Sequence, residues 1–240
     1  MLFALGLLPG FLVFILRNSV EDSSIYLEDR QRRAVSQGTD VGFWEIFSAP
    51  YVVRTVLSTL MMAGLLGGYW TVATWLPTFL KTERHLSILS TGGYLAITII
   101  GAYSGYVTSA YLNDLIGRRG NFILFAVCCM LVVVAYTFLP ISNDLMLMLG
   151  FPLGFFSSGI FSGTGAFLGE MFPTRIRGSG QGFCYSAGRG ISASLPFLIG
   201  YATSHMSLGN AIGIFATACY GLVIVAALAL PETRGKQLES

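Results

Sequence analysis

Six apolar stretches, at residues 51–79, 89–112, 121–139, 145–169, 180–203 and 208–230, take up most of this 240-residue chain. A hydrocarbon layer of about 30 Å is crossed by roughly 20 helical residues at about 1.5 Å each, and all six stretches meet that length within boundary error. A soluble core protein could not keep so many uncharged runs of this length in water. Nor do the runs alternate apolar and polar residues over about ten positions, as the strands of a membrane barrel do. Hydrophobic residues make up 54% of the chain and charged residues 11%, far below the roughly 25% charged residues of a soluble domain. The expected fold class is all-α: a polytopic membrane helix bundle of six complete transmembrane helices plus a partial seventh at the N-terminus.

Threading the chain back and forth sorts its cations. One face receives Arg17, Arg30, Arg32, Arg33, Arg54, Arg118, Arg119, Arg175, Arg177, Arg234 and Lys236, and the other only Lys81 and Arg84. This bias puts the 17–50 linker and the C-terminal tail in the cytoplasm, the protein being a multi-pass component of the cell membrane. The formal charge of +2 then reflects topology and says little about acidic partners. Residues 1–16 lack the basic start and small-residue cleavage site of a signal peptide and are followed by Glu21 and Asp22. They read as the end of a truncated transmembrane helix, with Met1 a truncation point or a misassigned start. The organisation expected is 1–16 helix end, 17–50 cytoplasmic linker with a possible surface helix near 24–33, 51–230 bundle and 231–240 tail. Cys128, Cys129, Cys184 and Cys219 all fall inside spans, as packing residues, with no disulfide or metal framework implied.

Short loops force successive helices to pack antiparallel. Along the fourth span Gly150, Gly154, Ser158, Ser162 and Ala166 recur every four residues and share one face, with Gly159 and Gly163 as a second pair. Small residues at that spacing let two helices approach closely in lipid, where burial of apolar surface does not itself drive association. Such a smooth face could also let helices slide during a conformational cycle.

The inner loop Asn113, Asp114, Leu115, Ile116, Gly117, Arg118, Arg119, Gly120 carries the first specific signal. Asp114 is placed to cap the helix that follows, and Gly117 to make the turn. The next inner loop supplies Glu170, then Phe172, Pro173, Thr174, Arg175, Ile176, Arg177 and Gly178. An acid at the lipid boundary beside two arginine pairs reads as a charge cluster at the helix ends, or as simple interfacial anchoring. Together these loops resemble the signatures of the major facilitator superfamily between its eighth and ninth and its tenth and eleventh helices. Pro231, Glu232, Thr233, Arg234, Gly235 is similar to the ending of the sugar-porter branch. Glu21, Asp22, Ser23 is a looser match to the element after helix six, since its proline is missing. The resemblance covers essentially the whole chain. It implies helix six onward of a twelve-helix secondary transporter, with a first six-helix bundle missing and a gating charge cluster formed by Asp114, Arg118, Arg119, Glu170, Arg175 and Arg177.

Arg189 is the lone cation expected deep within a span. A charge near the bilayer midplane costs at least a few kcal/mol unless it faces a cavity or a partner. It is either pinned by carbonyls or by a carboxylate of the absent half, or it recognises an anionic substrate. Gln181, Tyr185, Arg189, Ser192 and Pro196, spaced four, four, three and four residues apart, are expected to form one polar stripe. Tyr69 and Trp70, in the run Gly67, Gly68, Tyr69, Trp70, Thr71 with Thr74, add aromatic faces, hydroxyls and flexibility midway along the first complete span. The substrate-binding candidates are therefore Arg189, Tyr185, Gln181, Ser192, Tyr69 and Trp70. His85 and His205 lie too near span ends to serve convincingly as proton carriers. Metal-ligand spacing, phosphate loops and nucleophile triads are absent from the sequence, so neither an enzyme nor a cofactor is expected.

The function expected is secondary transport of a small organic anion, a carboxylate, by alternating access. Proton coupling is implied by the resemblance alone. Partners would be the small-molecule substrate, protons, the lipid bilayer and the missing N-terminal bundle, with no nucleic acid. The 231–235 ending supports a sugar or polyol as the alternative substrate class. A truncated, non-transporting membrane module is the alternative of another kind.

Overall fold

The computed structural model describes residues 43–86 and 88–235, together with Val13. The expected helix end at 1–16 and the surface helix near 24–33 lie outside the described residues. The chain divides into two units, residues 1–42 with Ser240, and 43–239.

The second unit is all-helical among the described residues. After a 3-10 turn at Phe43–Phe47 come α1 (Val52–Thr82), α2 (Ile88–Ile116), α3 (Arg118–Phe138), α4 (Asn143–Gly159) continued by a 3-10 turn (Ile160–Gly163) into α5 (Thr164–Met171), α6 (Thr174–Ser192), α7 (Leu195–Ala202) and α8 (Leu208–Ala229). Among the described residues, five segments are long and apolar enough to cross a membrane: Val52–Thr82, Gly92–Ile116, Arg118–Phe138, Asn143–Met171 and Leu208–Ala229. The stretch expected as a single span at 180–203 is instead two helices. Its first half is polar and glycine-rich, and the helix stops at Ser192 before Pro196 in the first turn of α7. Proline has no amide to offer the preceding turn, so the ladder breaks there. Trp75 of α1 donates its indole N–H to the Pro196 carbonyl at 3.3 Å, tying α1 to the start of α7.

α1 is the hub. Two-thirds of its membrane-length window is buried, against 17% for α2, and it packs on α6, α7 and α8. Gly67 and Gly68, expected to bring flexibility, sit in an unbroken helix. They make room instead: a Cβ on Gly68 would lie 2.8 Å from the Tyr220 ring of α8, and one on Gly67 2.4 Å from Leu195.

The small-residue face of α4 packs on α2. A Cβ on Gly154 would lie 1.9 Å from the Thr98 carbonyl, and Cβ atoms on Gly101 and Gly105 would lie 2.2 and 2.0 Å from the carbonyls of Phe151 and Phe155. Backbone meets backbone from both sides, so the pair is held by dispersion at a separation that only hydrogen side chains permit. Lower down the same seam, Ser162 donates to Ser109 at 2.9 Å, Asn121 donates to the Ser109 hydroxyl at 2.8 Å and Asn113 donates to the Ser109 carbonyl at 2.8 Å. This buried polar knot ties α2 and α3 to the 3-10 turn after α4.

Helix ends are closed by side chains. Ser142 and Ser207 accept from the amides of Leu145 and Asn210, as N-cap serines do. Glu83, from the end of α1, accepts from Gly209 of α8 with both carboxylate oxygens at 3.2 Å.

Candidate functional site

Two clusters sit at different depths of the bundle. The charge cluster occupies the end where α2 meets α3 and α5 meets α6. Helix α2 runs on to Ile116, leaving only Gly117 before α3. Asp114 is therefore in the last turn of α2 and does not cap α3, as its position in the sequence suggests. It accepts from Arg118 at 2.6 Å, and Arg118 reaches Glu170 of α5 at 3.4 Å. The Asp114 side chain is 76% exposed, whereas Arg118 and Glu170 are at 17% and 15%. The Glu170 Oε2 and Arg118 Nε atoms are buried without a hydrogen-bond partner among the described residues.

The true cap of α3 comes from the far end of the chain. Glu232 accepts from the Arg118 amide at 2.9 Å with Oε1 and from the Arg119 amide at 3.1 Å with Oε2. The same Oε1 also takes the amides of Thr233 and Arg234, at 2.9 and 3.0 Å. Gly117 has φ of 86°, and a Cβ there would stand 2.6 Å from the Glu232 carboxylate. Glycine is needed for the turn and for the approach alike.

The remaining arginines of the expected cluster bond elsewhere. Arg177 donates to the Gly169 carbonyl at 2.9 Å and to Thr174 at 3.0 Å, closing the C-terminal end of α5. Arg175 pairs with Glu45 of the 3-10 turn that precedes α1. Arg119 takes part through its backbone. Arg54, which the sequence marked only as a cation, donates to the Met171 carbonyl at 3.4 Å.

The second cluster surrounds Arg189. This residue lies midway along the 174–202 segment, in the last turn of α6, and lines a cavity of about 230 Å³ with Leu66, Tyr69, Trp70, Tyr106, Ser158, Phe161 and Tyr185. Tyr69 meets Trp70 and Phe161 edge to face, at ring distances of 5.6 and 5.3 Å. The carboxylates of the described residues, on Glu45, Glu83, Asp114, Asp144, Glu170 and Glu232, all sit at or beyond helix ends, and none pairs with Arg189. An exposed guanidinium at the mouth of an aromatic cavity can take an anion with paired charge-assisted hydrogen bonds.

Four of the six substrate candidates thus come together: Arg189, Tyr185, Tyr69 and Trp70. Gln181 lies nearer the N-terminus of α6, beside a separate cavity with Thr164, Gly165, Gly182 and Ser186, which shares Tyr185 with the first. Ser192 lines neither of these cavities. It is buried, and its hydroxyl bonds the Arg189 carbonyl at 2.9 Å. The three-residue step from Arg189 drops it onto the ridge of Cys184 and Gly188, which packs against α1. Pro196 starts a new helix, so the expected stripe ends at Arg189. Tyr106, Ser158 and Phe161 were missed, since each reads from sequence as part of an apolar or small-residue helix face.

The described residues thus form a bundle with five membrane-length helical segments, a cationic, aromatic cavity at Arg189 and a charge cluster where α2 meets α3 and α5 meets α6. Residues 1–149 and 105–240 both match the model of the Major Facilitator Superfamily, and the chain belongs to that family. It is 34% identical to a protein named probable 4-methylmuconolactone transporter, from Cupriavidus pinatubonensis, over 98% of this chain and 54% of that protein. It is 24% identical to the niacin transporter NiaP of Acinetobacter baylyi, over 99% of this chain and 60% of that one. Against the cis,cis-muconate transport protein of the same species it is 25% identical, over 96% and 56%. The chain spans little more than half the length of these relatives.

Proposed function

We propose that this chain forms the C-terminal six-helix half of a secondary transporter that carries a small organic carboxylate by alternating access, with Arg189 as its anion site. The observation that carries this reading is the Arg189 guanidinium, unpaired among the described residues and facing a cavity with aromatic walls. The solutes named for the three relatives above are compounds that bear carboxyl or lactone groups. On this reading α6 and α7 together make the fifth of six spans, and the charge cluster faces the cytoplasm. Glu170 then keeps one buried oxygen for a donor from the other half, which suits a latch that breaks and reforms during each cycle. Proton coupling, implied by family resemblance, needs an acid at depth, which would come from the partner half.

The sugar alternative rested on the 231–235 ending. Glu232 there braces α3 at the charge-cluster end, a structural task that serves any solute. The test is binding of nicotinate, benzoate and D-glucose to the chain in lipid nanodiscs, followed by equilibrium dialysis. The acids should bind and the sugar should not. Arg189→Ala should weaken the acids about 10- to 100-fold, the range of one lost charge-assisted bond of about 1.5–3 kcal/mol, and Arg189→Lys by less. Acid affinity unchanged in Arg189→Ala refutes the anion site. Acid flux into vesicles that hold only this chain decides whether it transports by itself.

A further inference from the structure

A second cavity of about 240 Å³ adjoins the Arg189 site, between α1, α2 and α4, lined chiefly by apolar side chains that include Val72, Leu76, Leu95 and Leu153. The two cavities share Tyr69 and Ser158. Helix directions fix their order: α1 passes from Leu66 and Tyr69 at the cationic cavity to Val72 and Leu76 at the apolar one, away from the charge cluster, and α2 returns from Leu95 and Thr98 to Tyr106. Among the described residues, no ionisable side chain other than the Tyr69 phenol lines the apolar chamber.

We propose that this chamber is a second substrate compartment, which receives the apolar body of the same molecule whose carboxylate sits at Arg189. The proposal rests on the anion reading above and names its substrate class: monocarboxylates with a rigid apolar body at least as large as a substituted ring. A dry apolar cavity of about 150 Å³ takes benzene, so the chamber has room for a ring or a branched alkyl group. Tyr69 and Ser158 form the sill. A ring crossing it has the Tyr69 face on one side and leaves its carboxylate within the arginine compartment. Dicarboxylates are disfavoured, because their far carboxylate would lose water without finding a cation in the chamber, whose polar groups are the hydroxyls of Tyr69, Thr98, Ser157 and Ser158.

The test compares benzoate, 4-tert-butylbenzoate and terephthalate by equilibrium dialysis against the 240-residue chain in nanodiscs. The unaltered chain should bind 4-tert-butylbenzoate at least about tenfold tighter than benzoate, as burial of four further carbons predicts, and terephthalate weakest. Ala73→Leu and Ala102→Leu, two positions that line the apolar chamber and not the Arg189 cavity, should each remove most of the tert-butyl advantage and leave benzoate within about twofold, since the carboxylate compartment is untouched. The neutral 4-tert-butylbenzamide separates the two readings. If carboxylates ignore Arg189→Ala while the amide still binds and loses its affinity in Ala73→Leu, the chamber stands and the anion site falls. If the tert-butyl compounds show no advantage, or keep it in both leucine variants, the chamber is refuted.

Discussion

Replacing Glu232 isolates a contact that joins the last described loop to the third helix. In Glu232→Ala, the Arg118 and Arg119 amides lose their acceptors, and the Thr233 and Arg234 amides lose theirs. Loss of an N-terminal cap costs about 0.5–2 kcal/mol, and loss of a carboxylate at a helix N-terminus about 0.3–1 kcal/mol more. Because Glu232 is exposed, water partly replaces it, and about 1–2 kcal/mol is expected. At about 2–4 °C per kcal/mol for a chain of this size, Tm in detergent should fall by about 2–8 °C. Glu232→Gln keeps one acceptor oxygen and should lose roughly half as much, since the charge goes but a bond stays. Hydrogen exchange should quicken at the first amides of α3 and stay unchanged in α8. Gly117→Ala supplies the cross-check: its cost combines the strain of φ at 86° with the 2.6 Å approach to Glu232. Only the second part vanishes in the Glu232→Ala background, so the double variant should be less than additive. An unchanged Tm together with unchanged exchange at residues 118–121 would refute the capping role.

Gly154→Leu should abolish folding or strongly lower Tm, because a Cβ there would stand 1.9 Å from the Thr98 carbonyl; normal thermal stability would show that α2 and α4 do not pack backbone to backbone. Arg118→Ala strands Glu170, whose side chain is only 15% exposed, and should destabilise by about 1–3 kcal/mol. Adding Glu170→Gln should recover part of that loss in denaturation midpoints. Glu83→Ala should cost about 0.5–2 kcal/mol through the lost cap at Gly209, read as faster exchange at the N-terminus of α8.

Where one physical rule acts locally, the sequence is a good guide. Run length alone locates α1, α3, α4 and α8, since lipid demands internally bonded backbone over a fixed thickness. The four-residue recurrence of Gly150, Gly154, Ser158 and Ser162 identifies the face that meets α2. The segment from Thr174 to Ala202 was harder. Its glycines, serines and arginine give little apolar signal, and Pro196, read as part of a polar stripe, is the helix breaker. Asp114 has the right chemistry for a cap in the wrong place, because α2 does not stop where the polar residues begin. The cap that α3 receives comes from a residue more than a hundred positions away, which no local spacing rule can reach. Around Arg189, the residues on its own helix and the aromatic pair Tyr69 and Trp70 were legible. Tyr106, Ser158 and Phe161 were not, since only the crossing of α2 and α4 brings them to the same cavity.

The glycine seam between α2 and α4 also limits how the proposed carrier could be retooled. Where main chain lies on main chain, no single bulkier residue can be tried out on either helix without prying both apart, so inheritable change has little foothold there. The walls contributed by α1 and α6 present free side chains to the cavity. A lineage that switched cargo would alter those two walls first, and would carry the α2–α4 pair forward as an unaltered strut.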